Sequence, residues 1–188
     1  MTDDTAADPD ARLRDLRRLR QTRRFTEDPV TDEVLARILE VARWTGSAKN
    51  TQPWEFIVVR DRELLERLCV IGQTAHFIGK APLVIALVLA GNSPRSEAYD
   101  EGRASERIML AAQALGLGSG TAWWGSEEGS TQAKEILGVP AEKTFLSCVA
   151  LGYPQPVQRK PQIALGRRPL AELVYGDTYG QPWQPTSG

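Results

Sequence analysis

A chain of 188 residues, 41% of them hydrophobic, is long enough for one domain with a substantial core, and its formal net charge of -1 excludes bulk attraction to nucleic acid or acidic membranes. Its two cysteines, Cys69 and Cys148, lie in apolar stretches without Cys-x-x-Cys spacing, which excludes a zinc ribbon and fits two buried thiols in a reducing compartment. A single histidine, His76, argues against a metal centre or a histidine-based nucleophile triad, and the lack of an apolar leader or membrane-length run argues for a cytoplasmic protein.

Residues 1–10 have the composition of a frayed tail, and residues 11–188 are expected to form one domain. Leu13, Leu16 and Leu19 recur at helical spacing among Arg12, Arg14, Arg17, Arg18 and Arg20, predicting an amphipathic helix with a cationic face. Thr31 and Asp32 offer capping oxygens to a second helix whose apolar stripe, Val34, Leu35, Ile38, Leu39, Val41 and Ala42, runs to about Trp44. The β-branched, apolar runs from Trp54 to Val59 and from Pro82 to Leu89 predict buried strands, with a helix from Arg62 to Val70 between them. From Ser96 a long helical pattern passes through Ile108, Ala111 and Leu115 and stops at Gly116. A strand over Gly118–Trp124, a helix over Thr131–Leu137 and a strand over Thr144–Leu151 follow, before a tail rich in Gly, Pro and Arg. No repeat is visible, and the alternation describes a sheet covered by helices.

Two constellations carry chemistry. Arg20, Arg23 and Arg24 sit three and four apart at the expected helix end and can converge on a phosphate, because guanidinium groups stay charged and bind phosphate oxygens bidentately. The bland alternative is a solvated cationic face. In Gly46-Ser47-Ala48-Lys49-Asn50-Thr51-Gln52-Pro53-Trp54, small residues leave room for a flat ring, and Asn50 and Gln52 supply donors and acceptors; a polar turn is the alternative. Gly116-x-Gly118-x-Gly120 is not a dinucleotide loop, since the glycines follow a helical pattern and precede a strand.

The pairing of Arg20-x-x-Arg23-x-Phe25 with Ser47-x-x-Asn50-x-Gln52-Pro53-Trp54-x-Phe56 resembles the FMN-binding signature of the nitroreductase family. Lys80-Ala81-Pro82, Asp100-x-Gly102-x-Ala104, Leu115-Gly116-Leu117-Gly118, Leu151-Gly152-Tyr153-Pro154 and Arg167-Arg168-Pro169-Leu170 are similar to further landmarks, from about Arg12 to Leu173. The resemblance implies an α+β fold, a three-layer α/β/α sandwich around a mostly antiparallel sheet, in a homodimer with a C-terminal arm on the partner. It implies that Arg20, Gln21 and Arg23 hold the FMN phosphate with Arg167 or Arg168. It further implies that Gly46, Ser47 and Ala48 reach the ring from the other subunit with Asn50 on the ring edge, Gln52 lying in the same loop, and that a backbone N–H among Trp123, Trp124 and Gly125 faces flavin N5. Trp123 and Trp124 are either an aromatic wall over the flavin or core residues of the strand. The chain departs from the common pattern at Leu19, Gln21, Gly46 and Ala48, where Arg, Ser, Pro and Ser are frequent.

The activity so implied is ping-pong electron transfer from NADH or NADPH through FMN to a small organic acceptor such as a nitro compound or quinone, with no acid-base dyad required. Ala90–Tyr99 is short, which argues against a large lid. The rivals are a family branch with other flavin chemistry, fragmentation or dehalogenation, a non-catalytic FMN store or sensor, and a nucleic-acid module built on the Arg12–Arg24 segment, against which the acidic remainder weighs.

Overall fold

The computed structural model describes residues 8–72, 74–156 and 166–184. The chain divides into two compact units, residues 1–155 and 156–188.

In the first unit the helices are α1 (Pro9–Arg18), α2 (Asp32–Arg43), α3 (Arg62–Cys69), α4 (Pro94–Ala114) and α5 (Glu127–Leu137), with a 3-10 turn at His76–Lys80. The strands are β1 (Trp54–Val59), β2 (Leu83–Leu89), β3 (Gly118–Trp123) and β4 (Thr144–Gly152), ordered β1-β2-β4-β3 and antiparallel throughout. Strand β2 shows why the sheet lies inside. All seven of its side chains are buried, and they alternate between two cores. Leu83, Ile85, Leu87 and Leu89 meet α2 and α4 through Ile38, Ala104 and Ile108. Val84, Ala86 and Val88 meet α3 and α5 through Leu65, Leu68 and Ala133. Each of these leucine, isoleucine and valine side chains contributes about 1.5–3 kcal/mol by leaving water, so the strand's period of two fixes a layer of helices on either face. The expected three-layer arrangement with an antiparallel sheet is present.

A bulge in β4 adjusts that alternation. Leu87 pairs with Ser147 but Leu89 with Thr144, so β4 carries one extra residue. Phe145 and Cys148, three apart, therefore share the α3/α5 face, while Ser147 turns to α4.

Several boundaries differ from the sequence expectation. Helix α1 begins at Pro9, inside the expected tail, because Asp8 caps it and proline suits a first turn; it ends at Arg18. Leu13 and Leu16 are exposed, and Leu19, beyond the helix, packs on the α2/α4 core. Helix α4 starts at Pro94, not Ser96, and α5 at Glu127, not Thr131, where Ser126 Oγ accepts the Gly129 N–H at 3.0 Å. Cys148 is buried as expected, but Cys69 is only partly so. No helix among the described residues is long and apolar enough to cross a membrane.

The second unit contains a 3-10 turn at Leu170–Glu172 and a bridge between Tyr175 and Pro182, with the Tyr175 and Tyr179 rings 4.8 Å apart. Leu170, Leu173, Tyr175, Tyr179 and Trp183 are all exposed.

Candidate functional site

The candidate site follows β3, an edge of the sheet. The chain leaving α1 runs beside it. Gln21 bridges Ser119 in parallel fashion, Thr22 donates its N–H to Ser119 O at 2.6 Å, and the Gln21 Oε1 accepts the Thr121 N–H at 2.8 Å. The glycines of β3 make this approach possible. A Cβ at Gly118 would lie 2.6 Å from the Thr22 side chain, and one at Gly120 would meet the Thr22 carbonyl and the Phe77 ring. The three glycines thus close α4 and build β3, as their order in the sequence requires.

This pairing corrects the expected geometry of the arginine cluster. Arg20, Arg23 and Arg24 stand after the helix, in an extended segment, so helical spacing does not bring them together. Arg20 Nη1 donates to the carbonyls of Arg17 and Leu19, both at 2.7 Å, and thereby caps the end of α1. The Arg23 guanidinium lies over the Phe77 ring, 5.7 Å from its centroid. Both arginines are exposed, and among the described residues neither has a carboxylate partner, which leaves their charge available to an anion. Gln21 differs: its amide is turned onto Thr121, where it braces the strand edge.

At the other end of β3 the two tryptophans separate. Trp124 is 2% exposed, lies edge-to-face with Phe145 at 5.2 Å and belongs to the α3/α5 core, whereas Trp123 is 60% exposed. Alternation along the strand sends neighbours to opposite faces, so one is core and the other borders the site. Gly125 follows with φ of 83°, and no atom lies within 4 Å of where its Cβ would be. A cleft of about 450 Å³ lies here, lined by Ile71, Thr74, Trp123, Trp124, Gly125 and Ser126. About 13 Å of strand, at ~3.3 Å per residue, separates Ser119 from Trp123 and joins the cationic segment to this open backbone.

The loop from Gly46 to Gln52 is held differently. Gly46 has open space around it, Ser47 Oγ accepts the Gln52 N–H at 2.9 Å, and Ala48, Asn50 and Gln52 are exposed. Among the described residues no hydrogen bond ties this loop to β3 or to the Arg20–Arg23 segment. Its tie to the scaffold is Arg103 of α4, whose Nη1 donates to Gly46 O at 2.9 Å. The sequence reading missed Arg103, although its position three residues after Asp100 on one helix was a usable signal. Arg167 and Arg168 belong to the second unit, where Arg168 donates to the Glu172 carboxylate at 3.2 Å and carbonyl at 3.0 Å.

Electrostatics beneath the site are set by burial. Glu101 of α4 is 6% exposed and accepts the Ser147 hydroxyl at 2.5 Å; burial raises its pKa despite that bond. Burial also pushes the Cys148 thiol far above its ordinary value, so it is inert as a nucleophile. At the surface before the loop, hydrogen bonds from Arg43 and then Trp44 hold the Glu40 carboxyl at about 2.

A family profile described as Nitroreductase family matches residues 16–69. A protein of Archaeoglobus fulgidus, provisionally named NADH dehydrogenase/NAD(P)H nitroreductase, is 36% identical over 146 residues, covering 72% of this chain and 81% of that protein. The 5,6-dimethylbenzimidazole synthase of Rhodospirillum rubrum is 26% identical, covering 77% of this chain and 82% of that protein. Among solved structures, a provisionally named nitroreductase from Desulfovibrio desulfuricans in complex with FMN matches with a TM-score of 0.74 at 30% identity, over 93% of this chain and 99% of that one.

Proposed function

Because this chain belongs to the nitroreductase family, we propose that it is an FMN-dependent oxidoreductase that passes electrons from NADH or NADPH to a small organic acceptor, such as a nitro compound or quinone. The observation that carries this reading is the layout along β3, with guanidinium groups that lack a carboxylate partner among the described residues beside one part of the strand and an open glycine backbone at its end. The residues fit the cofactor's chemistry. Arg20 and Arg23 suit a phosphate, since each can give it charge-assisted hydrogen bonds. Gly125 has no side chain to keep a ring from its backbone N–H, and Trp123 offers an aromatic surface beside it. When bound, FMN supplies the chemistry, accepting hydride from the nicotinamide and returning electrons to the acceptor. This chain's residues bind, orient and exclude. Arg20 and Arg23 hold the phosphate end, Gln21 keeps the strand edge in place, and the Trp123–Gly125 backbone orients the ring edge. Gly46, Ser47, Ala48 and Asn50 of a second copy close over the ring, with Gln52 holding that loop's shape. Donor and acceptor use the same opening in turn, the ping-pong order.

We read the protein as acting in a cytoplasmic homodimer, with the C-terminal segment on the partner and no nucleic-acid or membrane partner. Similarity to a 5,6-dimethylbenzimidazole synthase favours one second reading, fragmentation of the flavin itself. Against it, only Ala90–Ser93 separate β2 from α4, which is too short a connection to form a large lid. The test is an absorbance spectrum after FMN loading and desalting, then anaerobic NADPH or NADH. Retained bands that bleach and recover with a nitroaromatic or quinone support the reductase. Loss of FMN in air supports fragmentation, bands that neither donor bleaches support storage or sensing, and no retained flavin removes the proposal.

A further inference from the structure

We propose that Arg103 is a positioning residue that holds the Gly46–Gln52 loop in its ligand-ready shape before any cofactor arrives. The proposal rests on the reading above that this loop meets the flavin. Three residues of the loop, Lys49, Asn50 and Gln52, adopt φ of 53°, 56° and 48°. Asparagine tolerates the left-handed region, but lysine and glutamine pay a steric penalty there. A conformation with three such residues in four positions persists only where its surroundings over-determine it.

The bonds inside the loop do not suffice, because they move with it. Asn50 donates its N–H to Ser47 O, Thr51 to Ala48 O, and Gln52 to Ser47 Oγ, all closing within six residues. Among the described residues, the bond that refers this small cage to the scaffold is Arg103 Nη1 to Gly46 O, from a helix 57 positions away in sequence. Arg103 is itself fixed from below. The Asp100 side chain is only 5% exposed on the inner face of α4, and its Oδ1 lies 3.4 Å from the same Nη1. A carboxylate so shielded from water favours a nearby cation, and among the described residues Arg103 supplies it, so the guanidinium is held from the helix as well as from the loop. Asp100, Arg103 and the Gly46 carbonyl form a chain from the buried face of α4 to the loop's entry.

The test uses Arg103→Met, which keeps the aliphatic stem, and Arg103→Lys, which keeps a cation near Asp100. Amide hydrogen exchange of the apo-protein comes first, followed by FMN affinity. For Arg103→Met, exchange of residues 47–52 should rise well beyond any change in β2 and β4, while the melting temperature falls because Asp100 loses its cation. FMN affinity should fall by about tenfold if the binding-competent fraction of loops falls by the same factor. Arg103→Lys should restore part of both. Unchanged exchange at 47–52 in Arg103→Met overturns the proposal, as does looser exchange with undiminished FMN affinity. If the wild-type protein itself fails to retain FMN, the flavin reading falls, and the exchange data still decide whether Arg103 orders the loop. A global loss of protection in Arg103→Met, not repaired by Arg103→Lys, also overturns it, since the role would then be support of α4.

Discussion

Single residues at this site divide into those that hold the fold and those left free to hold something else. Trp123 and Trp124 are neighbours in sequence, yet Trp124→Ala should cost about 3–5 kcal/mol of stability, as expected for a buried aromatic, and Trp123→Ala next to none. Chemical denaturation of both variants checks this; equal losses would contradict the assignment of Trp123 to the site. Arg20→Ala and Arg23→Ala should each weaken FMN retention by roughly 1.5–3 kcal/mol, the range for a hydrogen bond to a charged group. Flavin titration followed by fluorescence measures it, and unchanged binding in both would return these arginines to the solvated surface. Glu101 offers a pH test. Because burial raises its pKa, the folded state holds a proton that the unfolded chain releases near pH 4.3, so stability falls as pH rises from there through the folded value. Glu101→Gln keeps an oxygen for the Ser147 hydroxyl and removes the charge. Its melting temperature should exceed wild type at pH 7 and converge with it below about pH 4, again judged against the unfolded carboxylate; a lower value at pH 7 would refute this account.

Among the elements, the strand patterns and the α2 and α4 stripes were legible because their periods of two and about four register burial directly. Helix α1 was harder to bound. Leu19 continues its leucine pattern, but the chain leaves the helix at Arg18 because the next residues find better partners on β3, where Thr22 and Gln21 satisfy its edge. No local signal in the arginine-rich segment announces that sheet. Helix α5 gains its extra turn from Ser126, which stands between the open Gly125 and Glu127. Ser126→Ala should cost about 1 kcal/mol, the usual worth of an N-cap, and fray the junction bordering the cleft. Thermal denaturation provides the measure, and no loss would show that Glu127 and Glu128 stabilise that turn without the cap.

At the scale of the whole molecule, exposed apolar side chains point beyond the single chain. Leu13, Leu16, Val41, Trp44 and Tyr99 are exposed in the first unit, and Leu170, Leu173, Tyr179 and Trp183 in the second. A contiguous apolar patch on a surface marks a place that another surface covers, and Leu13 and Leu16, three apart on α1, share one helix face. The homodimer proposed above would cover such a face, and it would bring a Gly46–Gln52 loop to a β3 cleft that, among the described residues, the same chain's hydrogen bonds do not join. Sedimentation should find a dimer, and FMN retention should fall on dilution in step with dissociation. Full flavin retention by a monomer would show that one chain completes its own site.

The sequence by itself determined the antiparallel sheet's strands, the helices that cover them, and the residue types of the site, because hydrophobic period, turn glycines and motif order act over short stretches of chain. Tertiary structure decided which residues those types belong to. Arg20 and Arg23 lie in an extended segment because β3 offers hydrogen bonds, and Trp124 is in the core while Trp123 is not because β3 has two faces. Arg103 reaches Gly46 across 57 positions because α4 passes under the loop. Each of these depends on a contact between distant parts of the chain, and a local pattern carries no record of the partner that will satisfy it.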